Sequence, residues 1–181
     1  WGVMDVQGCI AGARYLIDLG RVDPKRVAIR GRSSGGFTVL NALASSDVFT
    51  AGTSFFGIAD LAKLSATTHK FESHYDSLLL GTDDPSDPVW TERSPINRIA
   101  EIKAPLMLLQ GTDDRVVPAE QAKEALRAAG NAVALKLYEG EGHGFRSAEN
   151  IKDAWLSELS FYRTVWGIAT DTPIHVEIAN L

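Results

Sequence analysis

The stretch "AIRGRSSGGF", residues 28–37, joins a short apolar run to a helix-like segment through a turn of glycine and serine. Its centre, GRSSG, fits the pattern G-x-S-x-G between a strand and a helix, which is the context of a nucleophile elbow. The pattern selects its middle residue, Ser33, as the nucleophile and leaves the backbone N–H of Ser34 to donate to an oxyanion. We expect Gly31 and Gly35 to be required, because a side chain at either position would collide with the neighbouring strand or helix.

The same stretch has a plainer explanation, in which a glycine- and serine-rich turn ends a strand and caps a helix. A serine hydroxyl is a poor nucleophile without a base and an orienting acid. In hydrolases built on this elbow, an Asp or Glu follows the serine in the chain and a histidine comes last. The residues on the C-terminal side of the elbow therefore separate the two explanations.

One of the four histidines lies in a suitable place for a base. His143 stands in "EGEGHGF", residues 139–145, between glycines that let the backbone turn tightly after a predicted strand and expose the imidazole. His69 and His74 fall in an irregular segment, and His175 falls in the C-terminal tail. We expect these three to be solvated or structural.

Two acids, Asp113 and Asp114, come after the apolar run "APLMLLQG" at residues 104–111. The residues alone do not separate them: one is the orienting acid, and the other is a turn former or a charge partner of Arg115. Two aspartates after a glycine are also common turn chemistry. However, a serine, an acid and a histidine in this order, each at a strand end, favour a catalytic triad.

The predicted elements alternate between helix and strand along the chain. Helices are predicted at 4–19, 35–46, 118–130 and 147–167, and strands at 26–30, 51–57, 104–111 and 132–140. Such alternation predicts an α/β fold with a mainly parallel sheet flanked by helices. Residues 58–98 carry Pro85, Pro88 and Pro95 and are predicted to be an irregular, cap-like segment. We expect a single domain over residues 1–181, with an extended tail.

Composition excludes several partners. The 181 residues carry a net charge of −5, which argues against nucleic-acid or anionic-membrane surfaces. The single cysteine, Cys9, cannot form an internal disulfide and is expected to be a small core residue. We see no leader pattern and no apolar run long enough to span a membrane, and therefore expect a cytoplasmic location.

Three segments, "VDPKRVAIRGRSSGGF", "SPINRIAEIKAPLMLLQGTDDRVVP" and "YEGEGHGFRSAENIKDAW", resemble the prolyl oligopeptidase family of serine peptidases. The likeness is to its dipeptidyl aminopeptidase and acylaminoacyl peptidase branch. It rests on the double glycine after the elbow, a D-x-x-V-P motif that begins at Asp114 and the GHGF motif at His143. The resemblance implies that Asp114, rather than Asp113, is the acid.

The resemblance also implies an α/β-hydrolase catalytic domain that hydrolyses peptide bonds of oligopeptides through an acyl-enzyme, with no metal or organic cofactor. Ser33 would attack the carbonyl, His143 would move the proton, and Asp114 would orient the imidazole. Many relatives carry His-Gly where this chain has Gln110-Gly111, and we expect no catalytic effect from that difference.

A substrate pocket is expected near the elbow. The resemblance assigns Ile58, Leu61 and Val117 to the pocket for the residue before the scissile bond, and Phe71 and Tyr75 are weaker candidates for the same wall. The alternative is that these apolar residues belong to the core.

The chain begins at Trp1 in helix-like sequence, whereas the hydrolase domain of the family begins further upstream and usually comes after a β-propeller. We therefore expect the first strands of the sheet, the second oxyanion donor and the propeller to be absent here. The strand at 26–30 would then be an unpaired edge, and the isolated chain a poor enzyme. The expected partners are peptide substrates and these upstream parts; a homo-oligomer is compatible with the sequence.

Two other functions stay open. A carboxylesterase or other acyl hydrolase uses the same fold and triad, because neither determines the leaving group. A non-enzymatic hydrolase-like module is the other alternative. The presence of a complete serine, acid and histidine set argues against it.

Overall fold

The computed structural model describes residues 1–67, 75–169 and 177–179. Four residues that the sequence analysis considered lie outside the described ones: His69, Phe71, His74 and His175. Among the helices that are described, none combines the length and the apolar character that crossing a bilayer requires.

Strands and helices alternate through the described chain. The strands are β1 (Ala28–Arg32), β2 (Ala51–Phe55), β3 (Leu106–Gly111) and β4 (Val133–Tyr138). The α-helices are α1 (Met4–Asp18), α2 (Ser34–Ser45), α3 (Leu61–Thr67), α4 (Tyr75–Leu80), α5 (Val89–Glu92), α6 (Ala119–Ala128) and α7 (Ala148–Val165).

The four described strands form one parallel sheet in the order β1-β2-β3-β4. This confirms the predicted α/β fold with a parallel sheet flanked by helices. All six residues of β3 are buried, as a central strand covered on both faces requires. Among the described residues β1 pairs with β2 alone, so β1 is the edge of this sheet.

Helices cover both faces of the sheet. Leu106 and Leu108 of β3 belong to an apolar cluster on the side of α1, α2 and α6. Met107 and Leu109, which alternate with them, belong to a second cluster with Phe161 of α7. The alternation arises from the two-residue period of side chains along a strand.

Two sequence predictions about local structure need correction. The second strand ends at Phe55 instead of residue 57, because Phe56 turns the backbone with φ of 38°. Cys9 is exposed and not a core residue. Helix α1 buries a narrow stripe that includes Val6 and Ala13, and Cys9 lies outside that stripe.

The described part of the segment 58–98 contains α3, α4, α5 and a 3₁₀ turn at Pro95–Asn97. It packs a third apolar cluster, which includes Leu80 and Trp90, against Phe37 of α2. Its role as a cap over a site stays a prediction.

Candidate active site

Ser33 lies at the sharp turn between β1 and α2, in a backbone conformation with φ of 53° and ψ of −119°. Residues with a side chain rarely adopt positive φ, and such strain costs about 1–3 kcal/mol. The neighbouring backbone holds the turn: the Ser33 N–H donates to the Phe55 carbonyl at 3.0 Å, and the Ser33 carbonyl accepts from the Phe37 N–H at 3.1 Å. Both bonds fix the serine at the carboxyl edge of the sheet.

Close backbone contacts explain two of the glycines in the elbow. A Cβ on Gly31 would lie 2.3 Å from the Gly35 carbonyl oxygen, and a Cβ on Gly36 would lie 2.6 Å from the Gly57 Cα. A Cβ on Gly35 itself would meet no described atom within 4 Å. The expectation of a collision is therefore confirmed for Gly31 and wrong for Gly35. Gly36 is the second crowded position, because there α2 packs against the turn after β2.

The structure brings Ser33, Asp114 and His143 together in one hydrogen-bonded chain. The His143 Nε2 is 2.8 Å from the Ser33 Oγ, and the His143 Nδ1 is 2.9 Å from the Asp114 Oδ2. The three residues come from the loops after β1, β3 and β4. Asp113 does not take part; its carboxylate accepts from the neighbouring Thr112 hydroxyl.

Asp114 is buried, with 5% of its surface exposed, and its carboxylate accepts four hydrogen bonds. The backbone N–H groups of Val116 and Val117 donate to its Oδ1, both at 2.9 Å. The Gln110 amide and His143 share its Oδ2. Burial raises the pKa of Asp114, but the bonds from His143 and the backbone outweigh burial and lower the pKa below its ordinary value.

A buried glutamate holds the loop that carries His143. The Glu141 carboxylate accepts from the backbone N–H of Arg146 at 2.7 Å, the backbone N–H of Ser147 at 2.9 Å and the Asn150 side-chain amide at 2.8 Å. Burial raises the pKa of Glu141, and these donors more than offset it, so that the pKa lies below its ordinary value. The loop is thereby closed onto the start of α7.

An aromatic side chain packs against the imidazole. Phe56 and His143 have ring centroids 5.0 Å apart in an edge-to-face arrangement, and Phe56 is 5% exposed. The positive φ of Phe56 directs its ring toward this site instead of along β2. Phe56 therefore limits the movement of the imidazole and shields one side of it from water.

This arrangement can perform proton transfer. A carboxylate only accepts hydrogen bonds, so the His143 Nδ1 carries the hydrogen that faces Asp114. The His143 Nε2 is then free to accept the Ser33 hydroxyl proton. Ser34 opens α2, and its backbone N–H lies at the helix start, where no intrahelical acceptor exists. These are the groups that acyl transfer needs.

The predicted pocket residues lie in the core. Ile58, Leu61 and Val117 are 3%, 0% and 0% exposed and belong to the third apolar cluster. Tyr75 is 55% exposed. A cleft of about 440 Å³ beside His143 is lined by other residues. A substrate pocket at Ile58, Leu61 and Val117 stays a prediction.

Sequence reasoning missed Glu141 and Phe56, and it named Gln110 without expecting a catalytic effect. Gln110 had one signal, since it is a polar residue at the end of an otherwise apolar buried strand. Glu141 and Phe56 had none, because their partners are set by how the loops fold. Within the described ranges, no three His, Cys, Asp or Glu side chains are grouped so as to hold a metal ion.

The chain is similar in sequence to several known hydrolases. The sequence model of the prolyl oligopeptidase family matches residues 1–168. Dipeptidyl aminopeptidase BIII of Pseudoxanthomonas mexicana is 35% identical over 152 residues, which cover 79% of this chain and 22% of that protein. Esterase LipC of Mycobacterium tuberculosis is 28% identical over 163 residues, which cover 79% of this chain and 40% of that protein.

Solved structures of hydrolases are also similar to this chain. A puromycin-hydrolyzing peptidase of Mycobacterium tuberculosis matches with a TM-score of 0.88 and 42% identity, over 93% of this chain and 26% of that one. A puromycin hydrolase matches with a TM-score of 0.91 and 37% identity, over 98% of this chain and 28% of that one. The chain thus spans about a quarter of the length of these two proteins.

Proposed function

The chain belongs to the prolyl oligopeptidase family, and on that premise we propose that it carries the catalytic residues of a serine peptidase that hydrolyses peptide bonds of oligopeptides. Ser33 is the nucleophile, His143 the general base and acid, and Asp114 the residue that orients the imidazole. The backbone N–H of Ser34 donates to the oxyanion. The activity is proposed for the whole natural protein that contains this chain.

One observation carries the proposal: the continuous hydrogen-bonded chain from the Ser33 Oγ through both nitrogens of His143 to the Asp114 carboxylate. The bond of 2.8 Å lies within the range over which a base activates a hydroxyl, and the bond of 2.9 Å lets the carboxylate orient that base. A turn that merely capped a helix would need neither an imidazole against its serine nor a positive φ at that serine.

The proposed reaction needs these groups, the substrate and one water molecule. The Ser33 Oγ forms a bond to the substrate carbonyl carbon as its proton passes to the His143 Nε2, and the carbonyl electron pair moves onto the oxygen beside the Ser34 N–H. His143 then gives the proton to the leaving amine as the C–N bond breaks. A water molecule repeats the sequence on the acyl-enzyme, which releases the acid and restores Ser33.

Labelling with a fluorophosphonate tests the proposal on the natural full-length protein and on this chain. Ser33→Ala is expected to abolish labelling. Ser34→Ala is the matched control, because it removes the adjacent hydroxyl and keeps the backbone N–H, and it is expected to label like the unmodified protein. If the full-length protein does not label, or if labelling survives Ser33→Ala, the proposal is wrong.

An esterase is the second candidate, and the likeness to Esterase LipC favours it. The two candidates share the acyl-enzyme and differ in the leaving group. We expect the peptidase to give a larger rate enhancement over the uncatalysed reaction with aminoacyl anilides than with short-chain nitrophenyl esters. The reverse preference would select the esterase.

A further inference from the structure

Gln110 lies at the carboxyl end of β3, is 1% exposed and donates its amide to the acid of the proposed triad. We propose that Gln110 is a positioning residue that sets how strongly Asp114 holds the protonated form of His143. The proposal rests on the proposed function, since it concerns the same site. It reverses the expectation that a glutamine at this position has no catalytic effect.

The surroundings of the amide determine its orientation. The Gln110 Nε2 is 3.0 Å from the Asp114 Oδ2 and 3.0 Å from the Val117 carbonyl oxygen. Both oxygens only accept, so the nitrogen, with its two hydrogens, must face them. The Gln110 Oε1 is buried and has no hydrogen-bond partner among the described residues. The side chain therefore leaves its own acceptor unpaired while it supplies both donors.

The two oxygens of the Asp114 carboxylate have different tasks. The backbone N–H groups of Val116 and Val117 hold Oδ1, and these two donors are unchanged when the Gln110 side chain is replaced. Oδ2 accepts from both Gln110 and His143. A second donor on Oδ2 draws electron density from the oxygen that faces the imidazole. Removing that donor should make Oδ2 a stronger partner for imidazolium, which His143 then keeps to higher pH.

Other charges near the imidazole stay the same when Gln110 is replaced. Beside Asp114, the described titratable and charged side chains that line the cleft around His143 are Asp113, Glu139, Glu141 and Arg146. Glu141 is held by its own three donors. The elbow contributes Ser33, and the turn after β2 contributes the uncharged Phe56. A change in the pH dependence of inactivation can therefore be assigned to the missing amide.

The test is the rate constant for fluorophosphonate inactivation of the natural full-length protein, measured against pH. Its acid limb reports protonation of the base. Gln110→Met keeps the length of the side chain and removes the donor. It is expected to move the midpoint of the limb upward by about 0.5 to 1 pH unit, the scale of one weakened charge-assisted bond.

A matched control uses the other buried glutamine that the structure describes in this region. Gln121 is 2% exposed, and its Oε1 accepts from the backbone of Ala59 and Asp60 without touching the site. Gln121→Met is expected to lower the melting temperature and leave the midpoint unchanged.

The outcomes separate the two proposals. If the unmodified protein is not inactivated, the proposed function fails and this inference fails with it. If the unmodified protein is inactivated but Gln110→Met leaves the midpoint in place or lowers it, only the role of Gln110 is refuted. Gln110→Leu carries the same test if circular dichroism shows that the methionine variant does not fold.

Discussion

Gly31→Ala is expected to disrupt the elbow, and Gly35→Ala is its matched control. A Cβ on Gly31 would lie 2.3 Å from the Gly35 carbonyl oxygen, whereas ordinary contact begins at 3.4 Å, so that the start of α2 must move by about 1.1 Å. Overpacking against rigid backbone costs about 3 kcal/mol. We therefore expect Gly31→Ala to lower the free energy of unfolding by about 3 kcal/mol and to lower the melting temperature accordingly.

The same displacement acts on Ser33 and Ser34, which lie between the two glycines. A 1 Å error in the position of a nucleophile can cost about 100-fold in rate, and we expect that loss in fluorophosphonate labelling of Gly31→Ala. At Gly35, where no described atom would meet the Cβ, alanine in a helix gains about 0.5–1 kcal/mol. We therefore expect Gly35→Ala to melt slightly higher than the unmodified protein and to label at nearly the unmodified rate.

Calorimetry and the labelling rate, both measured on the two variants of the full-length protein, test this argument. If Gly31→Ala and Gly35→Ala behave alike in both assays, the argument from close backbone contact is refuted. A Gly35→Ala variant that alone loses stability would support the original expectation from the sequence.

Asp114→Asn should slow labelling by about 10⁴-fold, because the imidazole loses its orienting acid; a similar rate in the variant would refute the role of Asp114. Glu141→Gln should lower the melting temperature at pH 7. The gap in melting temperature between the two proteins should shrink as pH falls below 4.5, since a carboxyl with a lowered folded-state pKa stops stabilising once it is protonated. A gap that does not depend on pH would contradict this. Burial raises the pKa of Tyr138 and Tyr162, so the free energy of unfolding, measured by urea titration, should fall as pH rises above 10. Replacing both tyrosines with phenylalanine should reduce that slope. An equal slope in the double variant would count against this explanation.

Much of the fold could be predicted because it depends on local pattern. The run around Leu106–Gly111 is apolar without alternation, which is typical of a strand buried on both faces, and it forms the buried strand β3. The end of β2 could not be predicted, because Phe56, whose backbone turns there, packs its ring against His143 and Phe145, which lie far along the chain. The exposure of Cys9 likewise depends on which stripe of α1 meets α2.

The candidate site, like the fold, could be predicted only in part. The order and spacing of Ser33, Asp114 and His143 could be predicted from motifs, since each comes after a strand whose position the pattern predicts. The contact between Gln110 and Asp114 could not be predicted, because the amide meets the carboxylate only after the loop beyond β3 folds back over the strand end. Glu141 is similar, since its three donors lie five to nine residues further along the chain.

Local sequence was enough to predict the alternation of strands and helices, the elbow at Ser33, the histidine that comes after it and a pair of aspartates, from which the family resemblance selected Asp114. These features depend on residue period and on turn chemistry, which act over a few neighbours. Only the folded chain shows which glycine is crowded, which groups surround the Asp114 carboxylate and how a base 110 residues away comes within 2.8 Å of the serine. Such contacts arise because parallel strands bring loops that are distant in the chain to one edge of the sheet.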